Sequence, residues 1–130
     1  MGKQEVSSQP LNLPEYLMAA DRPFCWGEHD CVTYGDGWVA NNSKSVISDQ
    51  PKWHTKASAY RALRRVGGLE AALNSRLQPA IGYPMDGYIT LIDGTTVGIC
   101  YGPYTYFLSP NGIQYKVTIG AKFWPPYSKD

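Results

Sequence analysis

The sequence has no long apolar segment, few cysteines and few histidines. No apolar run approaches the roughly 18 residues that a membrane-spanning helix needs, so we expect no membrane span. The start of the chain, MGKQEVSSQ, lacks the apolar core of a signal peptide, and we therefore expect the protein to be made and kept in a reducing compartment. The three cysteines are an odd number, which argues against a disulfide framework.

Charge is sparse and unevenly placed. Charged residues make up 18% of the chain and the formal net charge is +1, yet residues 44–65 hold six basic residues and one acidic residue. Such a stretch can bind nucleic acid or an acidic protein surface, but it is more often a solvated helix face. We therefore do not expect nucleic acid as a partner, and Arg61, Arg64 and Arg65 remain candidate binding residues.

Helical patterns precede residue 80 and strand patterns follow it. One helix is predicted to begin after Asn12, a second at Asp30 and a third at Thr55 or Lys56. Residues 41–54 are predicted to form a loop, and LEAALNSRL a short fourth helix. Four segments rich in β-branched and aromatic residues follow, separated by turn sequences: GYITLI, TTVGICYG, YTYFLS and IQYKVTI. This order predicts an α+β fold, with the helices packed on an antiparallel sheet of about four to five strands.

The length of 130 residues fits one domain. We assign residues 13–126 to this domain, residues 1–12 to a flexible N-terminal segment, and residues 127–130 to a C-terminal tail.

Cys31 is a candidate nucleophile because it lies at the start of the second helix, directly after Asp30. The helix dipole and the free N–H groups of a first turn stabilise a thiolate, which is the reactive form of cysteine. A neighbouring imidazole would lower the thiol pKa further and accept the proton, and the chain offers His29 and His54. The alternative is a buried structural cysteine, which is a common feature of protein cores.

Three motifs follow one another along the chain. Asp30-Cys31 opens a helix, Met85-Asp86-Gly87 precedes a strand, and the next strand lies in the segment Thr96 to Gly102, which reads TVGICYG. This order resembles the papain-like domain of NlpC-type cysteine peptidases, which cleave peptidoglycan stem peptides. The resemblance implies a papain-like NlpC-type fold in which Cys31 occupies the place of the nucleophile.

A further set of motifs covers roughly residues 13 to 125. In chain order they are Pro23–Gly27, Asp30-Cys31, Trp38-Val39, Arg61–Glu70, Gly98–Gly102 and Ala121–Trp124. Together they are similar to a branch of the NlpC-type fold found in small phage and prophage tail proteins. This resemblance implies a place in the virion tail after synthesis in the bacterial host cytoplasm, with hub or distal tail proteins as partners.

The sequence departs from the peptidase pattern at Thr96. The resemblance implies that the catalytic histidine of an NlpC-type peptidase would stand at this position, and a threonine hydroxyl has no useful basicity near pH 7. His29 lies two residues before Cys31 and His54 lies in the predicted loop, so neither position identifies a base. We therefore expect a degenerate site rather than an active enzyme.

The sequence contains the residue types of two other kinds of site. Cys25, His29, Cys31 and Cys100 have the residue types of a zinc site, but their spacing is not that of a standard zinc knuckle, and we expect no metal or cofactor. The C-terminal half is rich in tyrosine, which covers sheets and forms protein interfaces. Tyr101, together with Trp26, is therefore a further candidate binding residue.

The expected function is that of a structural or assembly protein near the tail tip, with the fold used as a protein-binding module. The alternative is an active cysteine peptidase or amidase that cleaves peptidoglycan during DNA entry, with Cys31 as its nucleophile. A third interpretation is nucleic-acid binding through residues 44–65, with an affinity that falls steeply with salt.

Overall fold

The computed structural model describes residues 12–19, 23–26, 29–43, 55–65, 67–118 and 121–127. Most of the predicted terminal segments, and His54 in the predicted loop, lie outside the described residues. The described part contains four helices and five strands: α1 (Leu13–Ala19), α2 (Cys31–Ser43), α3 (Lys56–Arg65), α4 (Leu69–Arg76), β1 (Ile89–Ile92), β2 (Thr96–Tyr101), β3 (Tyr104–Ser109), β4 (Gly112–Val117) and β5 (Lys122–Trp124). The helices come first and the strands second, so the predicted α+β organisation is confirmed.

Helices α1 and α2 begin where short polar residues can cap them. The Asn12 side chain accepts the N–H of Glu15 at 2.9 Å, and the Glu15 carboxylate accepts the N–H of Asn12 at 3.0 Å. Asp30 and Thr33 make the same reciprocal exchange, at 2.9 Å and 2.7 Å. Each exchange satisfies N–H groups that have no partner inside the helix, which explains why both helices start at these positions.

Helix α2 runs further than the sequence predicts. It includes residues 41–43, which were expected to belong to a loop, and it is not broken by Gly35 or Gly37. At Gly37 a Cβ atom would collide with the Tyr16 hydroxyl, and that hydroxyl donates a hydrogen bond to the Tyr34 carbonyl at 2.6 Å. Gly37 lowers the helix propensity of α2, but its lack of a side chain permits close packing of α1 on α2.

Helices α3 and α4 are separated by a glycine pair. The Thr55 and Ser58 side chains exchange capping hydrogen bonds with each other's backbone N–H at the start of α3. Gly67 and Gly68 then have φ of 93° and 99°, and the Gly68 N–H bonds to the Leu63 carbonyl at 2.8 Å. These left-handed conformations end α3 and allow α4 to begin at once.

The five strands form one antiparallel sheet in the order β4-β3-β2-β1-β5. The first four strands are joined consecutively, as the turn sequences predicted. The chain then returns across the sheet, and β5 pairs with the free side of β1, with Trp124 opposite Ile89. The sheet is thus a meander extended by one strand from the end of the domain.

One face of the sheet carries the core. The register sets Ile89 opposite Ile99 and Leu91 opposite Val97, and all four side chains are buried. Helix α2 packs over β2 and β3, and the Trp38 indole N–H donates to the Gly87 carbonyl at 2.8 Å. This packing holds the start of α2 above the start of β2.

Gly98 lies at a point where β2 packs tightly against β3. A Cβ atom at this position would collide with the Thr105 side chain and would lie 2.8 Å from the Tyr106 carbonyl oxygen, which belongs to the backbone. We expect Gly98→Ala to lower the free energy of unfolding by about 2–3 kcal/mol, because the neighbouring strand must move. Denaturant unfolding measures this change.

Gly94→Ala is the matched control. Gly94 has φ of 72° and its missing Cβ faces open space, so only the backbone conformation costs free energy, about 1 kcal/mol. If Gly98→Ala destabilises the protein no more than Gly94→Ala does, the described packing between β2 and β3 is wrong.

Candidate functional site

Strands β2 and β3 separate beneath the start of α2. Their ladder pairs Ile99–Tyr101 with Tyr104–Tyr106, so residues 96–98 are not paired with β3. A cavity of about 330 Å³ lies at this point. Its wall includes residues from the segment before α2, from α2 and α3 and from both strands, among them Trp26, Asp30, Cys31, Lys56, Tyr60, Leu63, Thr96 and Phe107. We call it the Cys31 pocket.

The Val97 N–H has no acceptor on the described strand β3, and the Cys31 sulfur lies where such an acceptor would be. Strand N–H groups alternate in direction, and the Cys100 N–H points toward the β1 side, where it bonds to the Tyr88 carbonyl at 2.8 Å. The Val97 N–H therefore points toward the β3 side, where it donates to the Cys31 thiol. The thiol is held against the sheet by this contact.

The electrostatics of the Cys31 pocket disfavour a thiolate. The pKa of the Cys31 thiol is raised to about 11, mainly by burial and to a smaller extent by the neighbouring Asp30 charge. The N–H groups of Val97, Cys31 and Val32 lower the pKa, but by less than burial raises it. With a pKa of about 11, roughly one thiol in ten thousand is ionised at pH 7. A helix N-terminus alone does not make this cysteine reactive.

Thr96 and Cys31 line the same pocket. Thr96 is the first residue of β2 and is partly buried. Its hydroxyl can donate or accept a hydrogen bond but cannot take a proton from a thiol near neutral pH. The position where the resemblance implies a base therefore lies on the wall of the pocket, with a side chain unsuited to that role.

His29 is buried in the turn that precedes α2. Its backbone forms an antiparallel bridge with Cys25, with N···O distances of 2.7 Å and 3.0 Å. His29 is 6% exposed, and it is not among the described residues that line the Cys31 pocket. Within the described part of the chain, no histidine contributes to the wall of this pocket.

Asp30 is 1% exposed, and its carboxylate accepts the Thr33 N–H. Asp30 therefore acts on the site in two ways. It helps to set where α2 begins, and its charge opposes ionisation of Cys31.

The candidate binding residues lie in three separate places. Trp26 lines the Cys31 pocket and packs edge-on against Phe24, with ring centroids 4.9 Å apart. The three arginines are exposed on α3, and of these Arg64 borders a second cavity next to the pocket. Tyr101 lies at the far end of β2, beside Tyr106, and is not part of the pocket wall.

The zinc site considered from the sequence is not formed. Across the described residues there is no group of three or more His, Cys, Asp or Glu side chains that could hold a metal ion. Cys25 is exposed, whereas Cys100 is buried in the sheet with its sulfur 3.5 Å from the Gly102 carbonyl.

Lys56, Tyr60 and Phe107 are among the pocket residues that were not singled out from the sequence. Lys56 and Tyr60 lie one turn apart on α3, with the Lys56 nitrogen 5.8 Å from the centre of the Tyr60 ring. Their spacing of four is a visible signal of a shared helix face. Nothing in the sequence indicates that this face borders Cys31.

The family described as a domain of unknown function, DUF6950, matches residues 7–123. The chain belongs to the DUF6950 family. The DUF6950 match spans all four helices and most of the sheet, so the Cys31 pocket lies inside it. Neither the curated proteins nor the solved structures gave a match. None of the helices described in this DUF6950 chain is long and apolar enough to cross a membrane.

The raised pKa of Cys31 predicts slow and strongly pH-dependent alkylation. We expect iodoacetamide to modify Cys31 very slowly at pH 7, with a rate that rises about tenfold per pH unit up to pH 10, because the thiolate fraction grows until the pH reaches the pKa. Peptide mapping by mass spectrometry distinguishes Cys31 from the exposed Cys25, which serves as an internal reference. A rate at Cys31 that levels off below pH 9 would contradict the electrostatic description.

Proposed function

We propose that this chain is a structural or assembly protein of a phage tail, near the tail tip, and that its NlpC-type fold acts as a protein-binding module. The observation that carries the proposal is the state of Cys31. Its thiol is neutral near pH 7, it shares a pocket with Thr96, and the described wall of that pocket holds no histidine. A site with a nucleophile position but no base is well suited to binding and poorly suited to hydrolysis.

The composition of the pocket supports a binding role. Aromatic and aliphatic side chains form most of its wall, and a small number of polar groups lie among them. Pockets of this volume and character hold single side chains of a protein partner. The partner proposed here is another tail protein, of the hub or the distal tail, and the location is the virion tail after synthesis in the host cytoplasm. These points depend on the motif resemblance.

The second candidate function is that of a cysteine peptidase or amidase acting on peptidoglycan. One observation favours it: the backbone N–H groups of Val97, Cys31 and Val32 all lower the pKa of the Cys31 thiol, as donors to a developing negative charge would. This candidate requires an imidazole supplied from outside the described pocket wall, for instance by a neighbouring chain. It is the weaker of the two because burial outweighs the donors.

Hydrolysis is tested directly with purified peptidoglycan. We expect the pure protein to release no soluble stem-peptide fragments, and Cys31→Ala to behave as the unmodified chain does, because almost no Cys31 thiolate is present near pH 7. Chromatography of the soluble fraction with mass detection measures release, and an active peptidoglycan hydrolase serves as the positive control. Release that Cys31→Ala abolishes and Cys100→Ala preserves would establish the peptidase instead.

The tail role is tested in a phage or prophage that encodes the chain. We expect purified tails to contain the protein, and Cys31→Ala particles to remain infectious within about threefold, since the thiol has no chemical role. Mass spectrometry of purified tails and plaque titres measure both quantities. Recovery of the chain only as a free monomer, and never in particles, would contradict the structural role.

A further inference from the structure

Two cavities adjoin each other along helix α3. The Cys31 pocket, of about 330 Å³, and a second cavity, of about 380 Å³, share four wall residues: Tyr60, Leu63, Leu69 and Thr95. The second cavity continues past Arg64 to the glycines that end α3. Together the two cavities make one elongated depression with an apolar floor, which we call the α3 groove.

Two cations stand at separate points along the α3 groove. Lys56 lines the Cys31 pocket and Arg64 lines the second cavity. They are eight positions apart on α3, which corresponds to about 12 Å along a helix axis. Tyr60 lies between them and is 46% exposed. The groove therefore offers two separated positive charges with an aromatic and aliphatic surface between them.

The described wall of the α3 groove carries two cations and one acidic residue, so it has an excess of positive charge. Helix α3 holds four basic residues and no acidic one, and no ion pair joins Lys56 or Arg64 to an acidic residue in the described part of the chain. Asp30 is the acidic residue of the described wall, and it is buried and bound to Thr33. Asp93, next to Gly94 of the second cavity, lies 3.9 Å from Lys116.

We propose that the α3 groove binds an acidic peptide segment of a protein partner, with an apolar side chain in the Cys31 pocket and carboxylates near Lys56 and Arg64. An extended peptide advances about 3.3 Å per residue, so a distance of about 12 Å corresponds to acidic residues about four positions apart. The segment thus reads acidic, x, apolar, x, acidic. This inference rests on the proposed function, because it names the chemistry of the partner that the binding module would recognise.

The recognition pattern is tested with isotope-labelled protein and short synthetic peptides. The probe is acetyl-Glu-Ala-Phe-Ala-Glu-amide, and the two matched peptides carry Gln in place of both Glu residues or Ala in place of Phe. We expect the probe to shift the amide resonances of α3 and of the start of β2 in two-dimensional NMR spectra. Each matched peptide should bind at least tenfold more weakly, because each lacks one of the two contacts.

Charge-reversal variants locate the site. We expect K56E/R64E to bind the probe at least tenfold more weakly and to prefer acetyl-Lys-Ala-Phe-Ala-Lys-amide. The matched control is R61E/R65E, which changes the net charge equally on the same helix but alters two exposed residues outside the groove wall; its affinity should change by less than threefold. K56Q/R64Q repeats the test without introducing acidic residues, and the NMR spectrum reports whether each variant is folded.

Three results would overturn the α3 groove proposal: equal binding of the three peptides, equal loss in both double charge-reversal variants, or tighter binding of an oligothymidylate that both variants weaken alike. Equal binding of the three peptides would mean that the groove recognises none of their side chains. Equal loss in both variants would mean that binding depends only on the overall charge of α3. Tighter binding of the oligothymidylate would identify nucleic acid as the ligand. Failure of the peptide test leaves the tail role intact if purified tails contain the chain. Specific peptide binding by a chain that tails never contain would retain the groove and reject the tail role.

Discussion

The capping of helix α2 by Asp30 positions the rest of the site. The carboxylate accepts the Thr33 N–H, and the Thr33 hydroxyl accepts the Asp30 N–H, and this exchange stabilises a first turn of α2 that begins at Cys31. Packing of Trp38 against Gly87 then sets the distance between α2 and the sheet. With the start and the height of the helix both determined, the Cys31 sulfur meets the Val97 N–H in the gap between β2 and β3.

This geometry places Cys31 where a catalytic cysteine would lie, but it does not give the thiol the low pKa that a nucleophile needs. Three backbone N–H groups favour the thiolate, but burial and the Asp30 charge oppose it, and the net pKa of about 11 lies about two units above the ordinary value of 9.0. Two pKa units correspond to about 3 kcal/mol against ionisation. An active cysteine would need a cation or an imidazole close enough to lower its pKa. Lys56 lines the same pocket but is not among the groups that lower the pKa of Cys31, and Thr96 stands where the resemblance implies a base. A pocket with these properties can hold a ligand without reacting with it.

Local signals in the sequence predicted the local parts of the fold. Asn12, Asp30 and Thr55 each mark a helix start, and the Asp-Gly and Asn-Gly turns mark the hairpins, because caps and turns depend on a few adjacent residues. The pairing of β5 with β1 could not be assigned from the sequence, since it joins segments about thirty residues apart without a hairpin. The presence of Lys56 and Tyr60 in the same pocket as Cys31 could not be predicted either, because these residues are far from Cys31 in the sequence. The placement of Cys31 and Thr96 together came from motif resemblance and not from periodicity.

The late position of β5 has a consequence for how the chain folds during synthesis. Trp124 is 1% exposed, its indole N–H bonds to Asn74 at 2.8 Å, and the neighbouring Phe123 carbonyl accepts the Ala80 N–H. The core next to α4 therefore remains open to water until residue 124 has left the ribosome. Helices α1 to α4 emerge first with their apolar faces uncovered, and strands β1 to β4 follow before β5 can cover the part of the core next to α4. Between those moments the nascent chain is a natural client for chaperones that bind exposed apolar segments.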